Sequence, residues 1–474
     1  MNPKEVLTRT LESMFGEADF RIFIAHEHEA LVRELPGTSA TTGHLFAEAV
    51  EALARHGRIG EPLFARLREL RPLRRAAIDE ARDAWAARTP SDPATGQGTA
   101  VPGSCVVLVE ELTRDFVGRE HIFAAFANFE ARLRSEGRGG YFELRGHPGE
   151  GKSAIVARLT QRRRCVVHFN QATIGSNTLR AFTREVHAQL AGRHGAEIPM
   201  PTGDAARDGT WLLDALAAVR SHSAEELVLA IDALDEVNHI VPPGANPLFL
   251  PKYLPVGVHV FVTRRPGGAP LQADCPEERT LASYPVENRG DVDQYIEQFA
   301  ARETIDRWLQ SRAIPRRQFV EALLDRSEEN FMYLRHVLPM FAGRDRDDLD
   351  IHALPHGLKA YYSDHWRRMG MAGAGASRLK LKILYVLAEL RAPVTRTILA
   401  EVCEVTATEV QEVLDEWQPF LRARADREVQ YSFYHQSFQD FLREQPTLEA
   451  SGVDLRQVNG WIARWSLKRI PSDD

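Results

Sequence analysis

The sequence predicts an α/β core built on a parallel sheet, flanked by an all-α N-terminal bundle, a helical domain and a winged-helix domain. Between residues 105 and 285, four apolar runs of strand length alternate with helical stretches, which is typical of parallel strands joined by crossover helices. These runs are Phe142–Arg145, Val166–Phe169, Leu227–Ile231 and Val258–Val262. Before residue 88 the apolar periodicity is helical throughout. After residue 286, helical stripes precede two short strand-like runs. At 474 residues the chain is also too long for a single core.

Composition and charge narrow the possible classes of protein. The sequence is 44% hydrophobic and 26% charged, and it contains no apolar run near the length of a membrane span. A net charge of −7 gives no general basis for binding nucleic acid or an anionic membrane. The N-terminus lacks a continuous apolar segment of the signal-peptide type, so a cytoplasmic location is expected. The four cysteines show no CxxC spacing, which argues against a zinc site and a disulfide framework.

Residues 1–88 are expected to form a small helical bundle. Apolar side chains recur there at helical spacing in three stripes: Val6, Leu7, Leu11, Met14 and Phe15; Leu45, Phe46, Ala49, Val50 and Leu53; and Leu63, Phe64, Leu67 and Leu70. Residues 89–104 lack periodicity and are rich in Pro, Gly, Ser and Thr, which indicates a linker. A flexible linker would let the bundle face a partner independently of the domain that follows.

A phosphate-binding loop is predicted after the first strand of the α/β core. The strand-like residues 141–145 lead into a GxxxxGK[ST] motif, and helical spacing follows it. Glycines let backbone N–H groups turn around a phosphate, and the helix N-terminus adds the positive end of its dipole. Lys152 would reach the outer phosphates, and Ser153 would give its hydroxyl to Mg²⁺. The predicted binding residues are Gly146, His147, Pro148, Gly149, Glu150, Gly151, Lys152, Ser153 and Ala154.

Acidic side chains follow a second predicted strand, Leu227–Ile231. Asp232 would hold the Mg²⁺ shell, while Asp235 and Glu236 would orient and deprotonate an attacking water, with Glu236 as general base. An Asp at the end of a strand often only caps the next turn. Three carboxylates this close, however, repel one another unless a cation neutralises them. The carboxyl ends of parallel strands share one edge of the sheet, so these residues should lie near the phosphate loop.

Two arginines follow a third predicted strand, Val258–Val262. We expect Arg264 to sense the γ-phosphate by a bidentate contact, because the neighbouring strand ends already carry nucleotide chemistry. Arg265 is expected to be a solvated loop residue. Lys152, Asp232, Asp235, Glu236 and Arg264 are therefore the predicted catalytic residues, and Ser153 and Asp232 the predicted metal ligands.

The domains after the core are predicted at residues 286–377, helical, and 378–474, a winged helix followed by C-terminal helices. The winged-helix elements are the helices Leu379–Leu390 and Val394–Val402, a third helix opened by a capping box at Thr406 and Glu409, and the strands Phe420–Arg424 and Val429–Phe433. The third helix carries four acids and neither Lys nor Arg. Because phosphate contacts supply most nonspecific DNA affinity, nucleic acid is not the expected partner, and the domain is expected to act as a clamp.

Four segments together resemble the STAND class of P-loop ATPases near its NACHT branch: Phe116-Val-Gly-Arg-Glu120, Gly146–Ser153, Asp232–Glu236 and Thr263-Arg264. The resemblance covers roughly residues 110–445. The resemblance implies a slow ATPase that acts as an ATP/ADP-controlled switch with Mg²⁺: ADP holds a closed monomer, a trigger permits exchange for ATP, and the opened form self-associates. It implies that Phe116, Val117 and Arg119 lie against the adenine and ribose. Pro339 would match a proline that contacts adenine, although the expected Gly-x-Pro pattern is absent. His435 would contact the β-phosphate of ADP.

Residues 45–72 resemble bacterial effector-associated, death-like adaptor domains. This implies that residues 1–88 recruit an effector protein, plausibly in antiphage or another conflict defence; a stabilising helical cap is the alternative. Two alternatives for the whole chain stay open: an origin-recognition type AAA+ ATPase that uses its winged helix on DNA, and a non-catalytic scaffold that holds ADP. Members of the class usually continue into sensor repeats, and none is visible after Leu442. Either the sensor lies outside this sequence or another surface or subunit reads the trigger.

Overall fold

The structure is a computed structural model. It describes residues 3–469 except 17–18, 21–22, 25–44, 47, 51–52, 54–58, 60, 72–73, 87–102, 195–197, 201–208, 224, 239–241, 268–269, 344–349, 373–375, 426–427 and 446–453. The chain divides into two compact units, Met1–Thr99 and Ala100–Asp474. Throughout the described ranges, no helix is both long and apolar enough to cross a membrane.

The first unit contains the helices α1 (Pro3–Met14), α2 (Glu61–Leu70) and α3 (Arg75–Ala86). All three predicted apolar stripes contribute to one buried core, in which Leu7, Phe46 and Leu67 are fully buried. The helical periodicity of this region is thus confirmed for the described residues. Residues 89–102 of the predicted linker lie outside the described residues.

The second unit contains a parallel sheet of five described strands: β1 (Gly140–Arg145), β2 (Cys165–Phe169), β3 (Leu227–Asp232), β4 (Val258–Arg264) and β5 (Pro276–Thr280). Their order is β2-β3-β4-β1-β5, and every neighbouring pair is parallel. The four strands that the sequence predicts are confirmed, and so is the parallel α/β core. Because β3, β4 and β1 are adjacent and parallel, their carboxyl ends meet at one edge of the sheet.

Helices cover both faces of this sheet: α4 (Gly103–Thr113), α5 (Glu120–Glu136), α6 (Lys152–Arg162), α7 (Leu179–His194) and α8 (Thr210–His222). Successive strand residues enter opposite cores, as the two-residue period of a strand requires. Tyr141 joins the hydrophobic cluster that contains residues of α7 and α8. Phe142 joins the cluster that contains residues of α4, α5 and α6. A sheet covered on both faces explains why its central strands read as continuous apolar runs.

The edge strand β5 was not predicted from the sequence. It reads Pro-Glu-Glu-Arg-Thr, its side chains are half-buried or exposed, and it pairs in parallel with β1. A strand with neither apolar alternation nor an apolar run carries no periodic signal. Residues 276–280 form a strand because they pair with β1.

The rest of the unit packs around one hydrophobic cluster, which runs from Val292 to Val458. Its helices and strands are α9 (Pro285–Ala300), α10 (Glu303–Ser311), α11 (Arg316–Ser327), α12 (Phe331–Ala342), α13 (Gly357–Arg368), α14 (Arg378–Leu390), β6 (Val394–Thr395), α15 (Arg396–Cys403), α16 (Ala407–Glu416), β7 (Leu421–Ala425), β8 (Val429–Phe433), α17 (Gln436–Arg443) and α18 (Leu455–Leu467). Strands β6, β8 and β7 form an antiparallel sheet in that order. The predicted capping box at Thr406 and Glu409 is present at the start of α16. The shared core crosses the boundary predicted at residue 378, so these helices and strands pack as one body.

Candidate nucleotide-binding site

The predicted phosphate-binding loop joins β1 to α6. Gly149 has a φ of 85° and Gly151, the N-cap residue of α6, a φ of 89°. An L side chain would be strained in either conformation. A Cβ on Gly149 would also lie 2.2 Å from the side-chain oxygen of Asn330. The loop therefore turns tightly into a helix N-terminus, where free N–H groups and the helix dipole favour a phosphate.

Neighbouring segments hold this loop by hydrogen bonds. The Asn330 side chain donates to the Pro148 carbonyl at 2.9 Å, and the Met332 N–H donates to the Gly149 carbonyl at 3.3 Å. Within the loop, the Glu150 carboxylate accepts from the His147 N–H at 2.7 Å. These contacts restrain the loop, and a restrained loop loses less conformational entropy when it binds a ligand.

Lys152 occupies the hollow of the loop. Its Nζ donates to the carbonyls of Gly146 at 2.7 Å and His147 at 2.9 Å. Burial lowers the pKa of the ammonium, while the nearby carboxylates of Asp232 and Asp235 oppose that shift. A half-buried ammonium whose hydrogen bonds go to carbonyls gains strongly from an added anion. Lys152 is therefore positioned for the role that the motif predicts.

Asp232, at the end of β3, meets Ser153 at the start of α6. Asp232 is only 3% exposed, and it accepts hydrogen bonds from the Thr263 hydroxyl at 2.5 Å and from the Ser153 hydroxyl. Burial raises the pKa of this carboxyl, and the two hydroxyl donors oppose the shift. A carboxylate and a hydroxyl side by side are oxygen ligands of the kind that Mg²⁺ prefers. The two predicted metal ligands are thus brought together, and they fit this ion.

Asp235 and Glu236 lie on a short 3₁₀ turn, Leu234–Glu236, just beyond β3. Glu236 accepts a hydrogen bond from the Ala172 N–H at 3.0 Å. Burial raises the pKa of Glu236 to about 8. The hydrogen bond from Ala172 opposes this rise, and the charges of Asp235 and Asp232 add to it. A carboxyl group tuned towards neutral pH is suited to general acid–base chemistry.

The structure places the two arginines at the end of β4 differently from the sequence-based prediction. Arg264, the predicted phosphate sensor, is 5% exposed; its Nε lies 2.7 Å from Glu143, and its Nη2 donates to the Gly267 carbonyl. Arg264 is therefore a partner of a buried carboxylate, and it does not line the cleft. Arg265 does line it: its N–H donates to Asp235 at 3.0 Å, and its Nη1 lies 2.6 Å from Asp440. The prediction for Arg264 is corrected: of the two, Arg265 is the one that lines the cleft.

The physical reason lies in the register of the sheet. Arg264 stands opposite Arg145 on β1, and Glu143 lies two residues earlier on that strand, hence on the same face. Glu143 is 3% exposed and needs cationic partners, which Arg145 and Arg264 supply. Thr263 faces the other way and binds Asp232.

Arg119 joins the segment before α5 to the loop and to α9. Its side chain is 3% exposed, and its Nε lies 3.6 Å from Asp291. The guanidinium donates hydrogen bonds to the Asn288 side chain and, at 2.8 Å, to the Glu150 carbonyl. Its guanidinium also lies over the Phe331 ring, 5.1 Å from the centroid. Burial lowers the pKa of this arginine. Arg119 therefore lines the cleft while its polar atoms hold the surrounding protein together.

His435 approaches the phosphate loop from the C-terminal side of the unit. Its Nδ1 accepts a hydrogen bond from the Ser437 N–H at 3.1 Å, so a neutral ring must carry its proton on Nε2. Burial, with the charges of Lys152 and Arg265, lowers the pKa of His435 to about 3. His435 is thus a neutral donor at the wall of the cleft, able to bind an anion through Nε2–H. The resemblance indicated this residue, whereas its tautomer could only come from the structure.

A clasp of charged and aromatic side chains closes another side of the cleft. Glu111 on α4 binds Arg335 of α12 at 2.9 Å and Arg422 of β7 at 2.8 Å. Both guanidinium groups lie over the Tyr434 ring, at 4.5 and 5.1 Å from its centroid. All four residues line the cleft, and none of them was predicted. The contacts of Glu111 span more than two hundred positions of sequence, so no local pattern could have revealed the clasp.

The cleft enclosed by these segments has a volume of about 440 Å³. This lies within the range of roughly 300–1,000 Å³ that is typical of small-molecule sites. The predicted residues that line it are Phe116, Val117, Arg119, Pro148, Gly149, Gly151, Lys152, Ser153, Ala154, Asp232, Asp235, Glu236, Pro339 and His435. Gly146, His147 and Glu150 instead shape the loop from behind. The apolar wall includes Tyr295 and Phe331, which the sequence did not single out.

Comparisons with known proteins show no family. No protein-family model matches the sequence, and no curated protein matches it. Among solved structures, a STAND protein with a tetratricopeptide repeat sensor from Pyrococcus horikoshii is similar at 11% identity and a TM-score of 0.38, covering 75% of this chain. This chain spans 46% of the length of that protein.

Two other similar structures are a RuvB variant of Thermotoga maritima and the Orc1 protein of Aeropyrum pernix in complex with DNA. The first is 16% identical, with a TM-score of 0.26, and the match covers 70% of this chain and 97% of that one. The second is 14% identical, with a TM-score of 0.27, and the match covers 70% and 94%. At these values the similarities carry no argument about function, and the site is interpreted from its own geometry.

Proposed function

We propose that the protein is an ATP/ADP-controlled switch, in which the C-terminal residues close a Mg²⁺–nucleotide site formed by the phosphate loop and the acidic end of β3. One observation carries the proposal: Arg265 lies between Asp235 at the end of β3 and Asp440 on α17, with its Nε 3.2 Å from one carboxylate and its Nη1 2.6 Å from the other. The same arginine thus contacts both the site and the segment that covers it.

Other contacts support a closed form. His435, the residue just before α17, lines the cleft, and the Glu111 clasp ties α4 and α12 to β7. A nucleotide with an additional phosphate brings more negative charge to Arg265. That charge competes with Asp440 for the same guanidinium, and it weakens the closing contact. ADP therefore favours the closed form and ATP the open one.

We expect ATP hydrolysis in this site to be slow because of the protonation state of its general base. Lys152 and Mg²⁺ on Ser153 and Asp232 would offset the charge of the phosphates, and Glu236 would accept the proton of the attacking water. Because the pKa of Glu236 is raised to about 8, the carboxyl is mostly protonated at neutral pH in the empty site and a poor base there. Deprotonation of Glu236 would require a lower pKa, which a cation held by Ser153 and Asp232 would supply.

The wider biology is proposed on the resemblance. The chain would be a STAND ATPase near the NACHT branch, with α14 to β8 as its winged helix and the preceding helices as its helical domain. ATP binding would let copies of the chain self-associate in the cytoplasm. Residues 1–88, as a death-like adaptor, would then gather an effector, in antiphage or another conflict defence, once an unidentified trigger has acted.

The first experiment identifies the resident nucleotide. The purified protein is denatured, the released nucleotide is identified by chromatography, and the mass of the undenatured sample is measured alongside. One equivalent of ADP in a monomer is the expected result. An empty monomer would contradict a nucleotide-held closed form.

Glu236→Gln tests the switch itself. The amide cannot accept the proton of water, so ATP hydrolysis should fall about 100-fold or more, while ATP stays bound and assembly increases. Asp325→Asn, a change on α11 outside the cleft, is the matched control. If Glu236→Gln changes neither nucleotide content nor oligomeric state, the protein is a scaffold that merely holds its nucleotide.

The charge of helix α16 does not favour the DNA-binding alternative. Helix α16 carries Glu409, Glu412, Asp415 and Glu416 and no basic residue, so it would meet DNA phosphates with like charge. Binding to duplex DNA is measured at several salt concentrations. DNA affinity that falls steeply with salt would favour the origin-recognition alternative over the switch.

A further inference from the structure

A second cluster of potential ligands lies at the opposite edge of the sheet from the phosphate loop. Glu130 lies on α5, Glu226 immediately precedes β3, and His259 is the second residue of β4. One ligand atom from each of the three side chains lies within 4.8 Å of the others. Residues from three separate elements of the fold thus converge on one point.

The buried polar atoms of this cluster lack hydrogen-bond partners among the residues that the structure describes. His259 is fully buried, and neither of its ring nitrogens has such a partner; the nearest carboxylate oxygen, on Glu226, is 3.7 Å from Nε2. Glu130 is 4% exposed, and its Oε1 also has none. Buried polar groups are rarely left in this way, because each loses its hydration without compensation. A group placed between the Glu130 carboxylate and the His259 imidazole could bind both and satisfy these atoms.

Two arginines already contact the outer sides of the carboxylates. Arg163 binds Oε2 of Glu130 at 2.5 Å, which leaves Oε1 facing the cluster and fixes its direction. Arg134 binds both oxygens of Glu226, at 2.8 and 2.5 Å, but its side chain is 62% exposed. An exposed ion pair is worth little, so Arg134 can turn into solvent at small cost. The cluster then carries one uncompensated negative charge.

We propose that Glu130, Glu226 and His259 bind a zinc ion at this amino-terminal edge of the sheet. One imidazole and two carboxylates suit a borderline cation such as Zn²⁺, whereas Mg²⁺ and Ca²⁺ prefer oxygen ligands alone. Three protein ligands leave a fourth position for water. Glu226, 19% exposed, provides the access, and Arg163 supports the Glu130 ligand from behind. Cysteine plays no part in the site, which is why sequence spacing did not reveal it.

Zinc binding to the full chain tests the proposal. Protein stripped with a chelator is titrated with Zn²⁺ against a chromophoric competitor, in excess Mg²⁺ so that the phosphate-loop site does not contribute. One equivalent of zinc per chain is expected. Glu226→Gln, which keeps the size of a half-buried side chain, should weaken binding by at least about tenfold. His259→Phe, which packs in the same aromatic surroundings, should abolish it.

Two arginine variants separate this site from zinc bound elsewhere. Arg134→Ala removes the competing cation and should tighten binding severalfold. Arg132→Ala, on the same helix and paired instead with Glu277 at 2.6 Å, should leave it unchanged. If neither the unaltered protein nor Arg134→Ala binds zinc, the proposal is wrong and a buried water occupies the cluster instead. Equal binding in Glu226→Gln and the unaltered protein also overturns it, since the zinc then lies elsewhere.

Discussion

Two charged clusters near the carboxyl ends of the strands are built in opposite ways. In the first, Glu143 is enclosed by Arg145 and Arg264, and Arg145 extends the network to Glu278 at 2.8 Å. In the second, Lys152, Asp232 and Glu236 are also buried or half-buried, yet they border a cavity of about 440 Å³. The first cluster is complete within the protein, whereas the second faces open space.

The difference separates a structural network from a binding site. In the cleft, burial lowers the pKa of Lys152 and raises those of Asp232 and Glu236, so each group is moved towards its neutral form. Groups moved in this way gain most when a ligand of opposite charge arrives. A divalent cation with a polyphosphate supplies both signs of charge at once. Buried charge alone therefore does not mark a site; buried charge beside a cavity does.

The largest effect is expected in the complete network. Glu143→Gln leaves Arg145 and Arg264 without their carboxylate, and loss of one member of a buried ion pair costs about 3–5 kcal/mol of unfolding free energy. Chemical denaturation measures it. Glu278→Gln, at the 48% exposed end of the same network, is the control and should cost at most about 1 kcal/mol. Equal stabilities of the two variants would contradict the structural role of Glu143.

In the cleft the corresponding change should act on binding. Lys152→Ala removes a charge-assisted contact to phosphate, worth roughly 1.5–3 kcal/mol, so ATP affinity should fall about 10- to 100-fold. Titration calorimetry with Mg²⁺ present measures the affinity. Lys359→Ala, at a side chain that is 77% exposed and pairs with Glu444, is the matched control and should bind ATP normally. If both variants bind alike, Lys152 is not a phosphate ligand.

The raised pKa of Glu236 predicts how stability depends on pH. The folded protein keeps a proton on this carboxyl up to about pH 8, whereas the ordinary pKa is 4.5. The contribution of Glu236 is therefore fully present below pH 4.5 and is lost as the pH rises towards 8. Unfolding of the ligand-free protein, compared with Glu236→Gln at each pH, measures it. A difference that stays constant from pH 5 to 8 would contradict this environment for Glu236.

The smallest effect is expected at the closing contact. Arg265 and Asp440 are 29% and 32% exposed, so Asp440→Asn should cost only about 0.5–1 kcal/mol and speed nucleotide release roughly two- to fivefold. Release of a fluorescent ADP analogue measures it. Glu444→Gln, which breaks a pair with Lys359 at the end of α17, is the control. A release rate that is the same in both variants would remove Asp440 from the switch.

Features set by local sequence were the ones that could be predicted. The loop motif, the four apolar strands and the carboxylates after β3 depend on short-range spacing, and the parallel sheet then brings them to one edge. The choice between Arg264 and Arg265 depended on which face each residue occupies. A signal for it was present, because Glu143 interrupts an apolar strand and a buried carboxylate requires a cation.

Other features had no local signal. The Glu111 clasp joins α4, α12 and β7, and only the packing of distant segments creates it. Asp440 lies in a helix whose apolar spacing does not indicate that it contacts the cleft. Asp440 and its partner Arg265 are 175 positions apart in the sequence. Such contacts arise from tertiary packing, so a single sequence does not contain a pattern for them.

The charged strand β5 has a consequence for how copies of this protein can meet. It forms one edge of the sheet, begins with Pro276, and follows it with two glutamates and an arginine. An edge with proline and dense charge resists the addition of a strand from another molecule. If the chain assembles, a strand of another copy should therefore not add to the sheet beside β5. The molecule can thus join a complex without offering β5 as a template for aggregation.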